Sequence, residues 1–408
     1  MELPVVVVGA GPVGLAAAAE LVERGQRTLV LEKADRAGAA VAEWGHVRLF
    51  SQWSELVDPA ADRLLASPEW PAEYPTGAEW VARYLRPLAE ALGDRVRFGA
   101  EVVGVARRGR DRVVDDGRDT EPLTVHLRSG ERITARAVID ASGTWGSPNP
   151  LGGDGLPAAG EHAADWISYR IPDVTDRYAG RHVVVAGSGH SAMTALVTLA
   201  ELEPAARVTW LLRRGVTFGG GEADQLPARG ALGLRAKAAV EAGRITVVQG
   251  FRVDRVEGRD LVSGNGSRVS DVDEVVVLTG FRPDLSWLSE LRLDLDATLQ
   301  APVALAPLID PNVHSCGTVP PHGVTELAHP EPNVYLVGMK SYGRAPTFLA
   351  RTGYEQVRSI AAALAGDRES AERVELVLPE TGVCGGAEAF DDDGGCCGTL
   401  TLAAPPAR

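Results

Sequence analysis

No cysteine occurs before Cys316 in this 408-residue chain, and only four occur in all. Any chemistry that runs through a cysteine pair upstream of that point is thereby excluded. Basic charge is outweighed: 41 Lys and Arg stand against 55 Asp and Glu, a formal net charge of -14. A nucleic acid or an anionic membrane would select for a basic face, so neither is expected as a partner. No apolar stretch reaches spanning length, and the apolar N-terminus lacks the basic residues that open a signal peptide. A cytoplasmic location is the expectation. With 45% hydrophobic residues the chain can bury a large core and form two domains or more.

What the chain does have is glycine in two patterned places, Gly9-Ala10-Gly11-Pro12-Val13-Gly14 and Gly187-Ser188-Gly189-His190-Ser191-Ala192. Each follows a run that reads as a buried parallel strand, Pro4 to Val8 and His182 to Ala186, and each opens an apolar segment with helical spacing. In G-x-G-x-x-[GA] the first glycine permits a tight strand-to-helix turn. The second lets a diphosphate approach the backbone, and the third position lets helix pack close to strand. Free N–H groups at the helix start hold the anion. Two cradles imply two dinucleotides.

The strands that follow the cradles end differently. Thr28 to Leu31 ends in Glu32, eighteen residues after Gly14, a carboxylate placed to bond ribose hydroxyls and repel a 2′-phosphate. That end suits FAD or NAD. Val208 to Leu212 ends in Arg213 and Arg214, which can pair with a 2′-phosphate and so suit NADP.

Between the cradles, Val102 to Ala106 and Leu123 to Leu127 read as short strands around a polar loop, an antiparallel addition to the sheet. Val138 to Thr144, which contains Gly143, is a buried strand ending in small residues, where the chain must pass close to a cofactor. Glu274 to Leu278 ends in the same way at Thr279-Gly280-Phe281-Arg282-Pro283. The run Val334 to Val337 leads into Gly338 to Thr347, and a helix from about Phe348 to Ala365 completes the core.

The cradle with Glu32, the Asp-Ala-Ser-Gly-Thr segment, Gly-Ser-Gly-His-Ser-Ala and Thr-Gly-Phe-Arg-Pro-Asp occur in the order seen in the two-dinucleotide-binding flavoproteins. Over roughly residues 1–370 the chain resembles this superfamily, particularly its flavin-containing and N-hydroxylating monooxygenases. The resemblance implies an α/β fold with two Rossmann-like three-layer nucleotide-binding domains. An FAD domain would take residues 1–150 and 290–375, with an NADPH domain inserted at 151–289. A glycine-rich tail with cysteines would follow at 376–408. Trp44 to Trp53 looks like the stretch that lies along the flavin in that group.

On that basis the FAD set is Gly9, Gly11, Pro12, Val13, Gly14, Glu32, Lys33, Arg48, Gln52, Val102, Gly143, Gly338, Thr347 and Phe348. The NADP set is Gly187, Ser188, Gly189, His190, Ser191, Arg213, Arg214 and Gly280. Arg48 would meet the FAD diphosphate or a peroxide, or simply brace an acidic neighbour, and Gln52 and Trp53 would line the flavin ring or belong to the core. Lys340, Tyr342 and Arg344 form a polar cluster where the chain returns to the flavin. Arg48, Gln52, Tyr342 and Arg344 are the catalytic candidates.

The disulfide reductases of the superfamily need a cysteine pair beside the flavin, which this chain lacks. What remains is hydride transfer from NADPH to FAD, then reaction with molecular oxygen or electron delivery elsewhere. The first route, through a C4a-hydroperoxyflavin, oxygenates a small soft nucleophile at nitrogen, sulfur or a metalloid. The alternatives are an NADPH-dependent flavin oxidoreductase that reduces a metal or quinone, and a non-catalytic flavin or metalloid sensor. Two departures from the family's patterns stand out. The Phe-x-Gly-x-x-x-His motif of flavin-containing and Baeyer-Villiger monooxygenases is not met: the nearest match is Leu156, Gly160, His162 and Tyr169, with the histidine two residues after the glycine rather than four. Gly338 is followed by Met339 rather than by the aspartate that holds the ribitol in reductases.

Three of the four cysteines, Cys384, Cys396 and Cys397, fall within fourteen residues of the tail. Adjacent cysteines, about 3.8 Å apart at Cα, are poorly placed to bridge one another. Three thiolates suit a trigonal soft centre such as trivalent arsenic, which would connect the chain to arsenic resistance. The bland reading is an acidic tail with incidental thiols.

Overall fold

A computed structural model of the chain describes residues 2–173, 176–219, 221–224, 226–312, 319–345 and 348–376. Two five-stranded sheets organise it. The first runs in the order Val334–Leu336, Ala137–Asp140, Val5–Val8, Thr28–Leu31, Val96–Arg97, with every pairing parallel. The second runs Ile245–Val248, Arg207–Leu211, His182–Ala186, Glu274–Val277, Ile167–Ser168, again all parallel. All strands of the second sheet lie in sequence between two strands of the first.

Central strands of parallel sheets are buried on both faces, and so read as unbroken apolar runs rather than alternating ones. Val5 to Val8 and Val183 to Val185 have this character, none more than 7% exposed. Because successive side chains point to opposite faces, one strand feeds two cores. Val5 and Val7 pack with Leu15, Ala18 and Leu21 of the Pro12–Glu23 helix and with Val357 and Ile360 of the Ala350–Leu364 helix. Val6 and Val8 pack with Val105, Val125 and Ala135 on the other face. The inserted unit repeats the plan, with Val183 and Val185 toward Leu196 of the His190–Ala200 helix, and Val184 and Ala186 toward Val253 and Leu261.

Val102–Arg107 and Leu123–Leu127 are strands, and they pair antiparallel. They do not extend the parallel sheet as the sequence suggests. With Arg132–Ala135 they form a separate three-stranded sheet that covers its face. The physical reason is their alternation: Leu123, Val125 and Leu127 are buried while Thr124 and His126 are less so, the pattern of a sheet with one face to the core. A similar sheet, Val253–Glu257, Asp260–Ser263 and Arg268–Val269, covers the second unit. Among the described residues no helix is long and apolar enough to cross a membrane.

The loop after Arg107 is tied down by a buried carboxylate. Glu331, with a side chain 0% exposed, accepts from Arg107 Nε at 2.9 Å and Nη2 at 2.7 Å, and from Arg118 Nη2 at 2.6 Å. It also accepts from the Arg292 backbone N–H at 3.0 Å. Burial works to raise the Glu331 pKa, but these bonds outweigh it and hold the carboxyl below its ordinary range. A depressed folded pKa stabilises above the ordinary carboxylate range, and that contribution is lost as pH falls through the folded value. Glu331→Gln leaves two buried guanidiniums without their counter-charge. It should lower unfolding stability by about 3–5 kcal/mol in a urea titration near neutral pH, with the deficit shrinking in acid.

Candidate dinucleotide and substrate site

Both cradles sit where a parallel strand turns into a helix, and their glycines meet different steric demands. Gly9 has φ +103° and a Cβ there would lie 2.8 Å from the Ala141 carbonyl oxygen, while a Cβ on Gly14 would lie 2.0 Å from the Gly9 oxygen. Gly11, between them, has nothing within 4 Å of a built Cβ. In the second cradle Gly187 has φ +127° with the Leu278 oxygen 2.3 Å from a Cβ, and Gly189 again faces open space. The outer positions are thus demanded by the protein's own backbone. The middle ones leave room for a ligand to approach the chain, and the helices begin there, at Pro12 and His190. The geometry fits a diphosphate at each cradle.

Glu32 is 9% exposed and belongs to the first cradle: its Oε2 accepts from the Ala10 N–H at 2.7 Å and its Oε1 from the Ala34 N–H at 2.8 Å. The next residue, Lys33, is exposed. Val102 lies half-buried at the start of its strand, and Gly143 has φ +68° just beyond the end of Ala137–Asp140. Gly338, φ +66°, packs against Val13 of the cradle, 3.2 Å from a built Cβ. Its N–H donates to Gln356 Oε1 at 2.8 Å, and Gln356 Nε2 lies 2.8 Å from His322 Nε2 and 2.9 Å from Ser341 Oγ. Phe348 is half-buried with its ring edge-on to Tyr342. Thr347 lies outside the described residues, as do Cys384, Cys396 and Cys397. Among the described residues no group of His, Cys, Asp and Glu is arranged to hold a metal ion.

The four catalytic candidates each have neighbours of their own. Arg48 is exposed and donates through Nη1 to the Tyr74 carbonyl. Gln52 caps the short Trp53–Leu56 helix through a capping box with Glu55. Tyr342 is corrected to a core residue: it is 2% exposed, packed between His322 and Phe348, and burial raises its pKa. Arg344 is exposed and donates to Gln300 Oε1 at 2.8 Å. Trp53 is likewise core, 1% exposed and stacked on Trp70 at 5.1 Å.

Lys340 leaves the polar cluster altogether. Its Nζ donates to Asp140 Oδ2 and to Ser142 Oγ, each at 2.8 Å, beneath the first cradle. Asp140 stands in the Asp-Ala-Ser-Gly-Thr segment, but nothing in the sequence pairs it with a lysine 200 residues away.

In the second unit, Ser188 and Ser191 are exposed and His190 is half-buried, 5.5 Å ring to ring from Phe50 of the first unit. Burial and the nearby Arg229 charge push the His190 pKa down to about 4. At the end of Arg207–Leu211, partial burial and the like charges of Arg214 and Arg252 press on Arg213. Arg252 was not legible in the sequence, because its strand contact is tertiary. Neither Arg213 nor Arg252, both exposed, has a carboxylate partner among the described residues. Gly280 has φ +89° and its carbonyl accepts from the Asn149 N–H at 2.9 Å, where the two crossings between the units pair.

Comparison with known proteins gives four matches, of three kinds. The family described as pyridine nucleotide-disulphide oxidoreductase matches residues 6–304. The ferredoxin–NADP reductase 1 of Cupriavidus necator is 29% identical over 303 residues, 72% of this chain and 75% of its own length. A double mutant of a flavin monooxygenase from Stenotrophomonas maltophilia has a TM-score of 0.61 and 26% identity, covering 89% of this chain and 99% of that one. A bacillithiol disulfide reductase from Bacillus cereus shares the fold, with a TM-score of 0.67 at 22% identity over 90% and 99% of the two chains.

Two outcomes follow from the second cradle. Replacing Arg213 and Arg214 together by Ala should raise the Michaelis constant for NADPH at least tenfold while leaving that for NADH nearly unchanged. Equal effects on the two would show that these arginines do not read the 2′-phosphate. The His190 pKa, about 4 against an ordinary 6.5, stabilises the fold above 6.5 and is lost as pH falls toward 4. The acid-induced loss of melting temperature over that window should be shallower in His190→Gln than in the wild type.

Proposed function

The chain belongs to the pyridine nucleotide-disulphide oxidoreductase family, and from that premise we propose that it is a monooxygenase that oxygenates a small soft nucleophile. It is an enzyme, and its cofactors are FAD and NADPH. The observation that carries the reading is that residues 6–304 hold both cradles and no cysteine. Electrons that reach the flavin have no dithiol to enter in that span, so they pass to oxygen or to an external acceptor.

FAD supplies hydride acceptance from NADPH and the activation of oxygen. The protein's part is to bind, orient and keep dry. The first cradle offers backbone N–H groups to the FAD diphosphate, with Glu32 at the ribose end. The second offers the same to NADPH, with Arg213, Arg214 and Arg252 at the 2′-phosphate. Phe50 meets His190 edge-on where the two units approach each other. Nitrogen, sulfur and metalloid centres are the substrate class. A trivalent arsenical suits Cys384, Cys396 and Cys397, and its binding should weaken when any one of them becomes Ser.

The relatives named ferredoxin–NADP reductase favour a second reading, electron delivery to a protein carrier. A chain of net charge -14 suits a small or a basic acceptor better than an acidic protein. The deciding measurement is oxygen uptake by the FAD-loaded enzyme with NADPH and a panel of amines, thiols and arsenite, with released peroxide counted separately. Substrate-coupled uptake matching NADPH oxidation one to one is expected. Fast anaerobic reduction of ferredoxin, with oxygen consumed only as peroxide, would overturn the oxygenase reading in favour of the second.

A further inference from the structure

We infer that His322 is a positioning residue of the FAD site: acting through Gln356, its uncharged ring sets the Gly338 turn against the first cradle, and a protonated ring releases it. The inference rests on the reading of that cradle and of Gly338 as part of the FAD site. Gln356, His322 and Ser341 are 0%, 3% and 0% exposed, beside the turn that follows the Val334–Leu336 strand. Both backbone groups of Gly338 end on Gln356. The N–H donates to Gln356 Oε1 at 2.8 Å. The carbonyl accepts from Ser341 Oγ at 2.8 Å, and that oxygen in turn accepts from Gln356 Nε2 at 2.9 Å. Gln356 Nε2 also faces His322 Nε2 at 2.8 Å, and His322 Nδ1 lies 3.0 Å from the Pro320 carbonyl oxygen.

The two backbone ends of this chain of bonds leave one arrangement of protons. A carbonyl only accepts, so His322 carries its proton on Nδ1 and keeps Nε2 as an acceptor. A backbone N–H only donates, so Gln356 must turn Oε1 toward Gly338 and Nε2 toward His322. A buried network with every member satisfied is rigid. A second proton on His322 sets an N–H against the Gln356 NH2. Turning the amide over relieves that contact only by setting NH2 against the Gly338 N–H, so either way a buried donor beside the turn goes unmet.

The turn touches the cradle directly. Gly338 has φ +66°, and a Cβ on it would lie 3.2 Å from Val13 Cγ2, inside the cradle sequence. Gly353, one turn before Gln356 on the Ala350–Leu364 helix, would put a Cβ 2.6 Å from the same atom. Turn, helix and cradle thus share one contact, so a displaced Gly338 is felt at Val13. Among the described residues, Glu326 of its own loop and Glu355 of the helix are the charges that act on His322, and Tyr342 is the titratable ring beside it, 5.7 Å centre to centre. Glu326 is engaged by the Gly323 N–H and Glu355 by Arg358. Burial outweighs both carboxylates and keeps the His322 pKa below its ordinary 6.5. The neutral ring, and with it the grip on Gly338, is therefore fully present above 6.5 and lost as pH falls through the folded value.

Release of FAD from the diluted holoenzyme, read by flavin fluorescence between about pH 7.5 and about pH 5, tests this, with circular dichroism at each pH to establish that the chain is folded. The wild-type dissociation constant for FAD should rise about tenfold over that range. His322→Gln offers Gln356 an acceptor that takes no proton. Its constant should stay level with pH and lie below the wild type's at the acid end, a gain that loss of a merely structural residue would not produce. Gln356→Met removes both ties to Gly338, so its constant should be raised and equally level; it keeps the inference testable should His322→Gln fold poorly. A wild-type constant that does not move with pH would overturn the inference, as would one that moves equally in either variant. Purified protein that holds no FAD at neutral pH would instead refute the FAD reading, and the inference with it.

Discussion

The first unit depends on one buried contact, the ion pair between Asp140 and Lys340. Its partners are 0% and 1% exposed at their side chains and 200 residues apart, and they join the ends of two adjacent strands that come from different parts of the chain. A buried pair is rarely better for stability than a well-packed apolar one, but losing one partner leaves a charge uncompensated, so the pair penalises every other arrangement. Here it fixes register. Val337 N–H donates to the Asp140 carbonyl at 3.0 Å, and Ser142 bridges Lys340 to the other oxygen of Asp140, with Oγ 2.6 Å from Oδ1. Lys340 Nζ also lies 4.9 Å from the ring centre of Trp287, which draws in the segment that follows the Glu274–Val277 strand. Cradle, central strand and returning chain are thereby locked to one another where the first diphosphate belongs.

The inserted unit reaches the first through two crossings that pair with each other. Pro148 bridges to Phe281, Arg282 N–H donates to the Ser147 carbonyl at 2.9 Å, and Arg282 Nε donates to Asn149 Oδ1 at 2.9 Å. Beside them Glu43 of the first unit accepts from Trp145 Nε1 at 2.8 Å and from Arg170 Nε at 3.2 Å. Arg170 lies 4.2 Å from the centre of the Trp145 ring. These contacts are partly exposed, so each is modest, and salt screens them. Together with Phe50 on His190 they give the two cradles a shared seam without merging the two cores.

Much of this was legible because parallel-sheet physics writes itself into sequence. The runs Val5 to Val8, His182 to Ala186 and Glu274 to Val277 are apolar without alternation, and each is followed by small residues at the strand end. What sequence could not yield was contact between distant segments. Lys340 reads as part of a polar cluster where the chain returns to the flavin, and it is the buried partner of Asp140. Tyr342 looked available and is packed in the core, because a tyrosine beside glycine carries no sign of which side of the turn it will face. Arg229 sits in an ordinary alanine-rich helix whose sequence gives no hint of its partner Asp224 or its unmet donor. The antiparallel strands were recognised as strands, yet their placement over a face of the parallel sheet depended on which side of the sheet had apolar surface left to cover.

The two cradles share a glycine pattern and differ in charge, and in the proposed function that difference is what would separate their ligands. At the first, the carboxylates are already engaged: Asp140 is neutralised by Lys340, and Glu32 is held by two backbone N–H groups. A diphosphate there meets backbone and helix terminus, and a 2′-phosphate would meet Glu32 and be repelled. At the second, Arg213 stands at the end of the strand with Arg214 and Arg252 as neighbouring like charges. Glycine spacing alone, being common to both sites, makes no distinction between FAD and NADPH; on the function proposed above, the carboxylate at one strand end and the guanidiniums at the other would make it.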